Sequence, residues 1–256
     1  MTHSGDPPRV RIDGSTWVLA LTGAGVSAES GIPTFRGSGG LWESHRVEWV
    51  ASPEGFRSDP ALVWRFYSQR RAFAKTCSPN PGHAALVDLE RRLGDRFLLA
   101  TQNVDGLHAR AGAGSERLVE LHGNLFKTRC SVCDRPPFDD VSVYEGEIPE
   151  CDLCAARGVR ARIRPHIVWF GEMLDPANME RVLSFMQRAA TGRFVFLAAG
   201  TSGVVYPAAG FVSAARRLGA ETWLVNADPA ENASQFEHFV QGPSGKVLPD
   251  LWDFQS

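Results

Sequence analysis

Apolar residues in this chain come in unbroken runs that end in glycine or polar clusters. Residues 17–21 form one such run. They lack the alternation of a half-exposed strand and so predict a strand buried on both faces. Residues 96–101, 117–121, 194–199 and 222–225 repeat the pattern. Between these runs the apolar spacing turns helical. Residues 60–74 predict a helix with Val63, Phe66, Tyr67, Arg70 and Ala74 on one side. Residues 81–93 predict a second, with Gly94 at the C-cap position. Residues 176–190 predict a third, whose stripe of Met179, Val182, Leu183 and Met186 reads as core. A fourth follows Gly203 and is expected to bury Ala208, Phe211, Val212, Ala215 and Leu218. Residues 1–8 read as a polar tail and 241–245 as a loop. Alternating strands and helices predict an α/β fold, a doubly wound parallel (Rossmann-like) sheet.

Each predicted strand runs into a polar motif. Gly23, Gln102, Gly200 and Asn226 all follow strands, so the carboxyl edge of the sheet gathers them. After the first strand, Gly23-Ala24-Gly25 turns the chain into a short helix. Glycine lets the backbone approach a pyrophosphate and take positive φ. Ser27 and Ser30 add short polar side chains, Gly31-Ile32-Pro33 breaks the helix, and Phe35 and Arg36 follow. Residues 36–42 hold three glycines and end at Trp42, which suits a closing loop or a plain surface loop equally. Arg70 is the oddity on its apolar helix side, and an arginine snorkelling at the core edge accounts for it.

Composition narrows the function classes. The 256 residues are 43% hydrophobic and 22% charged, with net charge −2, an ordinary soluble balance with no basic field for nucleic acid or anionic lipid. No apolar run approaches the ~20 residues of a membrane helix, and no leader pattern is visible, so the expectation is a cytoplasmic protein. Five cysteines fall as Cys130-x-x-Cys133, Cys151-x-x-Cys154 and a lone Cys77. Two such knuckles seventeen residues apart predict one closed tetrahedral zinc, structural because no ligand position is left. The residues between them hold Asp139, Asp140, Glu145, Glu147 and Glu150 against Arg135, which argues against a nucleic-acid-binding ribbon. His122 ends the third strand on the nucleotide side, where a histidine near neutral pKa can act as a base. His83, His108 and His166 read as structural. A lone histidine is more often structural too, so position alone leaves His122 open.

The run 23–37, Thr101-Gln102-Asn103-Val104-Asp105-Gly106-Leu107-His108, Leu121-His122-Gly123, Val168-Trp169-Phe170-Gly171-Glu172 and the four cysteines together resemble the sirtuins, NAD-dependent protein lysine deacylases. The resemblance spans nearly the whole chain. It implies one catalytic domain, with a Rossmann-like core at about 9–44, 76–123 and 164–256. A helical insertion at about 45–75 and a small zinc-binding module at about 124–163 complete it. It assigns NAD to Gly23, Ala24, Gly25, Ser27, Ala28, Ser30, Ile32, Pro33, Thr34, Phe35, Arg36 and Trp42. Gln102, Asn103, Val104 and Asp105 would surround the nicotinamide and its ribose. Gly200, Thr201 and Ser202 would form a second phosphate loop, Asn226, Ala227 and Asp228 the adenosine-ribose site, and Ser244 a loop at the adenine. His122 becomes the general base, with Asn103 beside it in catalysis. Local structure alone describes the 102–108 stretch as a polar turn with Asp105 as an N-cap, and the two descriptions are compatible.

Val168, Phe170, Gly171 and Glu172 match the family's substrate strand, to which an acyl-lysine peptide adds as an extra strand. Tyr67-x-x-Arg70, with the small Ala51, marks the sirtuins that remove acidic acyl groups such as succinyl. The implied products are nicotinamide and O-acyl-ADP-ribose. The implied partner is acylated lysine on a protein, with no nucleic acid or membrane partner and a monomer favoured. The rivals are an NAD-dependent mono-ADP-ribosyltransferase and a non-catalytic NAD-sensing or zinc-ribbon binding module.

Overall fold

A computed structural model describes residues 8–33, 41–42, 45–201, 210–230 and 233–255. Thr34, Phe35, Arg36, Ser202, Ala208 and the side chain of Trp42 lie outside the described residues. The chain opens with β1 (Val10–Ile12) and β2 (Thr16–Thr22), then a 3₁₀ turn over Ala24–Ser30. Two short strands, β3 (Leu41–Trp42) and β4 (His45–Arg46), lead to α1 (Val47–Val50), α2 (Pro53–Ser58) and α3 (Pro60–Thr76). Next come α4 (Pro81–Leu93), β5 (Phe97–Thr101), α5 (Leu107–Arg110) and β6 (Leu118–Glu120). The cysteine-bearing region holds β7 (Gly123–Cys130), β8 (Phe138–Asp139), α6 (Asp152–Ala155) and β9 (Ile163–Ile167). The chain closes with α7 (Pro176–Ala189), β10 (Arg193–Ala199), α8 (Phe211–Arg217), β11 (Glu221–Asn226), β12 (His238–Gln241), α9 (Ser244–Val247) and β13 (Trp252–Phe254).

Among the described residues the main sheet has six strands in the order β12-β11-β10-β2-β5-β6, and every pairing is parallel. This is the predicted doubly wound sheet. Its order reverses between β2 and β10, so the turns after those two strands, at Gly23 and Gly200, lie next to each other. Such a switch point leaves a crevice at the strands' carboxyl ends. The sheet is covered on both faces. One face packs Leu19, Leu98, Val119 and Phe196 against Val182, Phe185 and Met186 of α7 and Val212 and Ala215 of α8. The other packs Val18, Leu99 and Leu197 against Leu86, Leu89 and Leu93 of α4. A third core joins α1–α3 to the zinc ribbon through Trp64, Phe66, Tyr67, Leu125 and Ile163. Among the described residues no helix is long and apolar enough to cross a membrane.

Caps explain where the helices begin. Asp59, Asn80 and Asp175 each accept a main-chain N–H from the first turn that follows, and each is succeeded by proline. Several elements depart from the periodicity. On α7 Leu183 is exposed and Phe185 takes its place in the core, because the helix turns its buried stripe toward β2 and β5. Leu218 follows the end of α8 and is exposed. The expected loop at 241–245 instead contains the end of β12 and the start of α9. β1 pairs with β13 in a separate two-stranded sheet, a long-range pairing invisible to local pattern.

Candidate active site

A neighbour in the fold explains why positions 23 and 25 are glycine. Gly23 has φ −125°, so positive φ is not the reason. A Cβ there would lie 2.8 Å from Gly200 O, and one on Gly25 would lie 2.7 Å from Gly200 Cα. Gly25 N–H donates to Gly200 O at 2.7 Å, and Gly23 N–H donates to Ala199 O at 3.0 Å. Gly200 itself sits at φ +60°. The two turns after β2 and β10 are therefore locked backbone to backbone, and this contact sets the shape of the crevice.

The amide pair after β5 is locked to the same turn. Asn103 Nδ2 donates to Gly23 O at 3.0 Å and to Ser27 Oγ at 3.2 Å. Gln102 Oε1 accepts from Thr201 Oγ1 at 3.0 Å. Among the described residues, Asn103 Oδ1 and Gln102 Nε2 have no hydrogen-bond partner, which leaves one acceptor and one donor on adjacent residues. Asp105 is buried and accepts from Leu107 N–H at 2.9 Å in a local turn, but the N-cap of α5 is Gly106, so the expected N-cap role falls one residue away from it. Beneath the turn, Asn80 Nδ2 donates to Val26 O and Ser30 Oγ, and Ser27 Oγ lies 3.4 Å from His83 Nε2. The His83 ring lies 4.7 Å from that of His108, tilted by 55°, and His108 Nε2 meets Thr22 Oγ1 at 2.9 Å. Burial lowers both histidines' pKa values and keeps them neutral.

His122 stands one residue before β7, at the sheet edge. Its Nδ1 lies 3.0 Å from Gln102 O. A carbonyl only accepts, so Nδ1 carries the proton and Nε2 keeps its lone pair. Burial lowers its pKa from 6.5, partly offset by that carbonyl, so the neutral form prevails at pH 7. His122 O also accepts from Val168 N–H at 2.9 Å, tying the histidine to the next segment.

That segment differs from expectation. β9 ends at Ile167, and residues 168–172 form a turn with Gly171 at φ +85°. Phe170 N–H donates to Ala51 O at 3.0 Å while its ring is exposed, as is Met173. Glu172 faces inward. Arg164 reaches its two oxygens at 2.6 and 2.9 Å, and Trp169 N–H donates to it at 2.9 Å. These bonds hold Glu172 below its usual pKa against the burial that would raise it, and give it the task of shaping the turn.

Tyr67 and Arg70 share a side of α3. Tyr67 is buried, and its oxygen accepts from Trp169 Nε1 at 2.9 Å. Burial pushes its pKa up to about 12, so the hydroxyl keeps a proton to donate. Arg70 is half-buried, with its guanidinium 5.4 Å from the Phe66 ring centroid. Burial lowers its pKa, and Tyr67 and Asp105 offset this.

Arg71, the next residue, carries a role that sequence pattern does not single out. It is fully buried, and all its donors are used. Nε donates to Leu125 O (2.5 Å), Nη1 to Asp140 Oδ2 (3.2 Å) and Ser142 O (2.7 Å). Nη2 donates to Lys127 O (3.3 Å) and Thr128 Oγ1 (2.9 Å). Arg71 thus clamps α3 to the ribbon. Arg71→Met should destabilise the fold by about 3–5 kcal/mol, because Asp140 is left buried without its cation. Urea unfolding measures this, and adding Asp140→Leu should recover part of the loss.

The four predicted zinc ligands converge. Cys130, Cys133, Cys151 and Cys154 keep their ligand atoms within 4.8 Å of one another. Cys130 Sγ lies 3.7 Å from Cys154 Sγ, and Cys133 Sγ 3.8 Å from Cys151 Sγ. A tetrahedron with Zn–S bonds of ~2.3 Å has edges of about 3.8 Å, so the donor set fits one structural zinc. The N–H groups of Val132 and Cys133 point at Cys130 Sγ (3.3 Å each), as a thiolate favours. Cys77 is buried elsewhere, beside Phe73 O.

Other candidate positions spread around the crevice. Ala24, Gly25, Ile32 and Val104 are half-buried, and Ala28, Pro33, Ala227 and Asp228 are exposed. Asn226 follows the Gly200 turn through Nδ2 to Thr201 O at 3.5 Å. Ser244 is buried at the first turn of α9. Its neighbour Gly245 N–H donates to Glu29 Oε2 at 2.6 Å, joining the C-terminal helix to the Gly23 turn.

A parallel sheet with a glycine-locked switch point, an amide pair and a histidine at its edge defines a nucleotide-binding enzyme of Rossmann-like architecture. Residues 23–207 match the family model described as the Sir2 family. The chain belongs to that family. It is 47% identical over 238 residues to the NAD-dependent protein deacylase of Salmonella typhimurium, covering 92% of this chain and 82% of that protein. The solved structure of a Sir2 homolog–NAD complex is similar with TM-score 0.81 and 40% identity, covering 91% of this chain and 87% of that one. A Sir2–p53 peptide–NAD+ structure is similar with TM-score 0.75 and 30% identity, covering 91% and 90%.

Proposed function

We propose that this chain is an NAD-dependent protein lysine deacylase that removes acidic acyl groups, succinyl and malonyl, as well as acetyl. The observation that carries the activity is the fixed tautomer of His122. Its Nδ1–H is engaged by Gln102 O, so Nε2 can take a proton from a ribose hydroxyl at the crevice. The open acceptor Asn103 Oδ1 and donor Gln102 Nε2 match the two halves of a carboxamide, which supports nicotinamide at this place. NAD, when bound, supplies the ribose that accepts the acyl group as nicotinamide leaves. Gly25, Ser27 and Thr201 shape the wall around it, and the zinc takes no part in bond making. The deacylase name of the Salmonella relative and the peptide complex among the similar structures support an acylated protein as the partner.

The acidic-acyl preference rests on Tyr67 and Arg70. An acyl chain ending in a carboxylate offers the guanidinium a two-pronged partner and the Tyr67 hydroxyl a third bond. A charge-assisted bond is worth about 1.5–3 kcal/mol, roughly ten- to a hundredfold in kcat/KM. Arg70→Met should therefore cut desuccinylation at least about tenfold, mainly through KM, and leave deacetylation nearly unchanged. Equal losses on succinyl and acetyl peptides would make Arg70 a structural residue and remove the acidic-acyl preference.

A further inference from the structure

A concavity opens between α2 and the zinc ribbon, with a volume of about 630 Å³. Phe56, Val132 and Trp169 give it apolar walls, and four arginines line it against one acidic residue, Glu150. Arg164 is committed to Glu172. The other three are exposed. Arg162 is exposed and makes no ion pair among the described residues. Arg160 pairs with Glu150, and Arg57 with Glu54, but both arginine side chains are well exposed, at 88% and 69%. Exposed pairs of this kind hold weakly and exchange partners readily. Cations over a low-dielectric wall focus a positive field into the cleft.

The cleft adjoins the acyl-recognition residues. Phe56 and Trp169 ring centroids are 5.3 Å apart, and Trp169 and Tyr67 centroids are 6.4 Å apart. One indole thus separates the cleft from the tyrosine proposed to meet the acyl group, a distance that about four residues of extended chain can span. Trp169 also belongs to the turn proposed to meet the substrate. We infer that the cleft is a secondary docking site for acidic residues of the acylated protein, some four or more residues from the acyl-lysine. This docking site presupposes the deacylase activity proposed above. It adds a substrate class, acylated lysines followed or preceded by Asp and Glu, to a site whose own groups would read only the acyl chain and the backbone.

The test compares two acetyl-lysine peptides that differ only in carrying a run of Glu or a run of Gln beyond the fourth residue on either side. With the full chain at low salt, the Glu peptide should show a KM about three- to tenfold lower at similar kcat. The gap should narrow as salt rises. The exposed double variant Arg160→Glu/Arg162→Glu should erase or invert the preference while leaving the Gln peptide's kcat/KM unchanged. Equal KM values for the two peptides, or a Glu preference that survives the charge reversal, would overturn the docking site. Turnover of the Gln peptide by both proteins tests the deacylase activity separately, so the two failures are distinguishable.

Discussion

His122→Ala should lower deacylation by roughly 10²–10⁴-fold, the usual contribution of a positioned general base, while fold and NAD binding persist. The ring lies at the sheet edge, outside the two sheet cores, and among the described residues makes one side-chain bond, to Gln102 O. The loss belongs in kcat, because the lone pair on Nε2 is used only when a hydroxyl is deprotonated. The pH profile supplies an independent check. Burial lowers the His122 pKa below 6.5, so the base form is present at neutral pH and is lost as pH falls through that lowered value. Activity of the native chain should therefore hold to a more acidic pH than an unperturbed imidazole allows. Steady-state kinetics with NAD-binding calorimetry checks the variant. Near-normal turnover removes His122 from the mechanism, and unfolding would mark it as structural.

Loss of the zinc should have a still wider effect. Structural zinc contributes binding free energy of about 10 kcal/mol in small modules, comparable to the whole stability of a domain. Here Cys130, Cys151 and Cys154 are buried in the core that also holds Trp64, Phe66 and Tyr67 of α3. The Arg71 clamp joins the same two parts. Cys130→Ala should therefore release the metal and disorder the wall that carries Tyr67 and Arg70, with activity lost through the fold. Cys77→Ser, remote from the cluster, should keep both metal and activity. Elemental analysis alongside circular dichroism decides it. A fully active chain without zinc contradicts the assignment.

The sheet edge is legible in the sequence for a physical reason. Buried parallel strands are continuous apolar runs, so the polar residues that end them stand out, and Gly23, Gln102, Gly200 and Asn226 all stand on that edge. The cysteine spacing is equally direct, because metal geometry constrains it. Arg71 is hidden because the periodicity of α3 draws attention to Arg70 on the apolar side, whereas Arg71 is the arginine that is buried. Its partners at Leu125, Thr128 and Asp140 lie 54 to 69 residues away. Asp140 looks like one more acidic residue of the ribbon, yet it is buried against that arginine. Sequence pattern ascribes Gly23 to a ligand's approach, and it does not show the close approach to Gly200, which leaves no room for a Cβ. The apolar residues at 168–172 suggest a strand but form a turn. It is set by Glu172 folding back onto Arg164, a tertiary ion pair that local pattern does not encode.

The decisive measurement is the mass of a succinyl-lysine peptide after incubation with the chain and NAD. An NAD-dependent deacylase should remove the succinyl group only when NAD is present, with nicotinamide released in equal amount and the acyl group recovered on ADP-ribose. A peptide that instead gains ADP-ribose, or succinyl and acetyl peptides that both stay unchanged while the zinc-loaded chain is folded, would contradict the deacylase activity, and an unchanged succinyl peptide beside a deacetylated acetyl peptide would contradict the acidic-acyl preference alone.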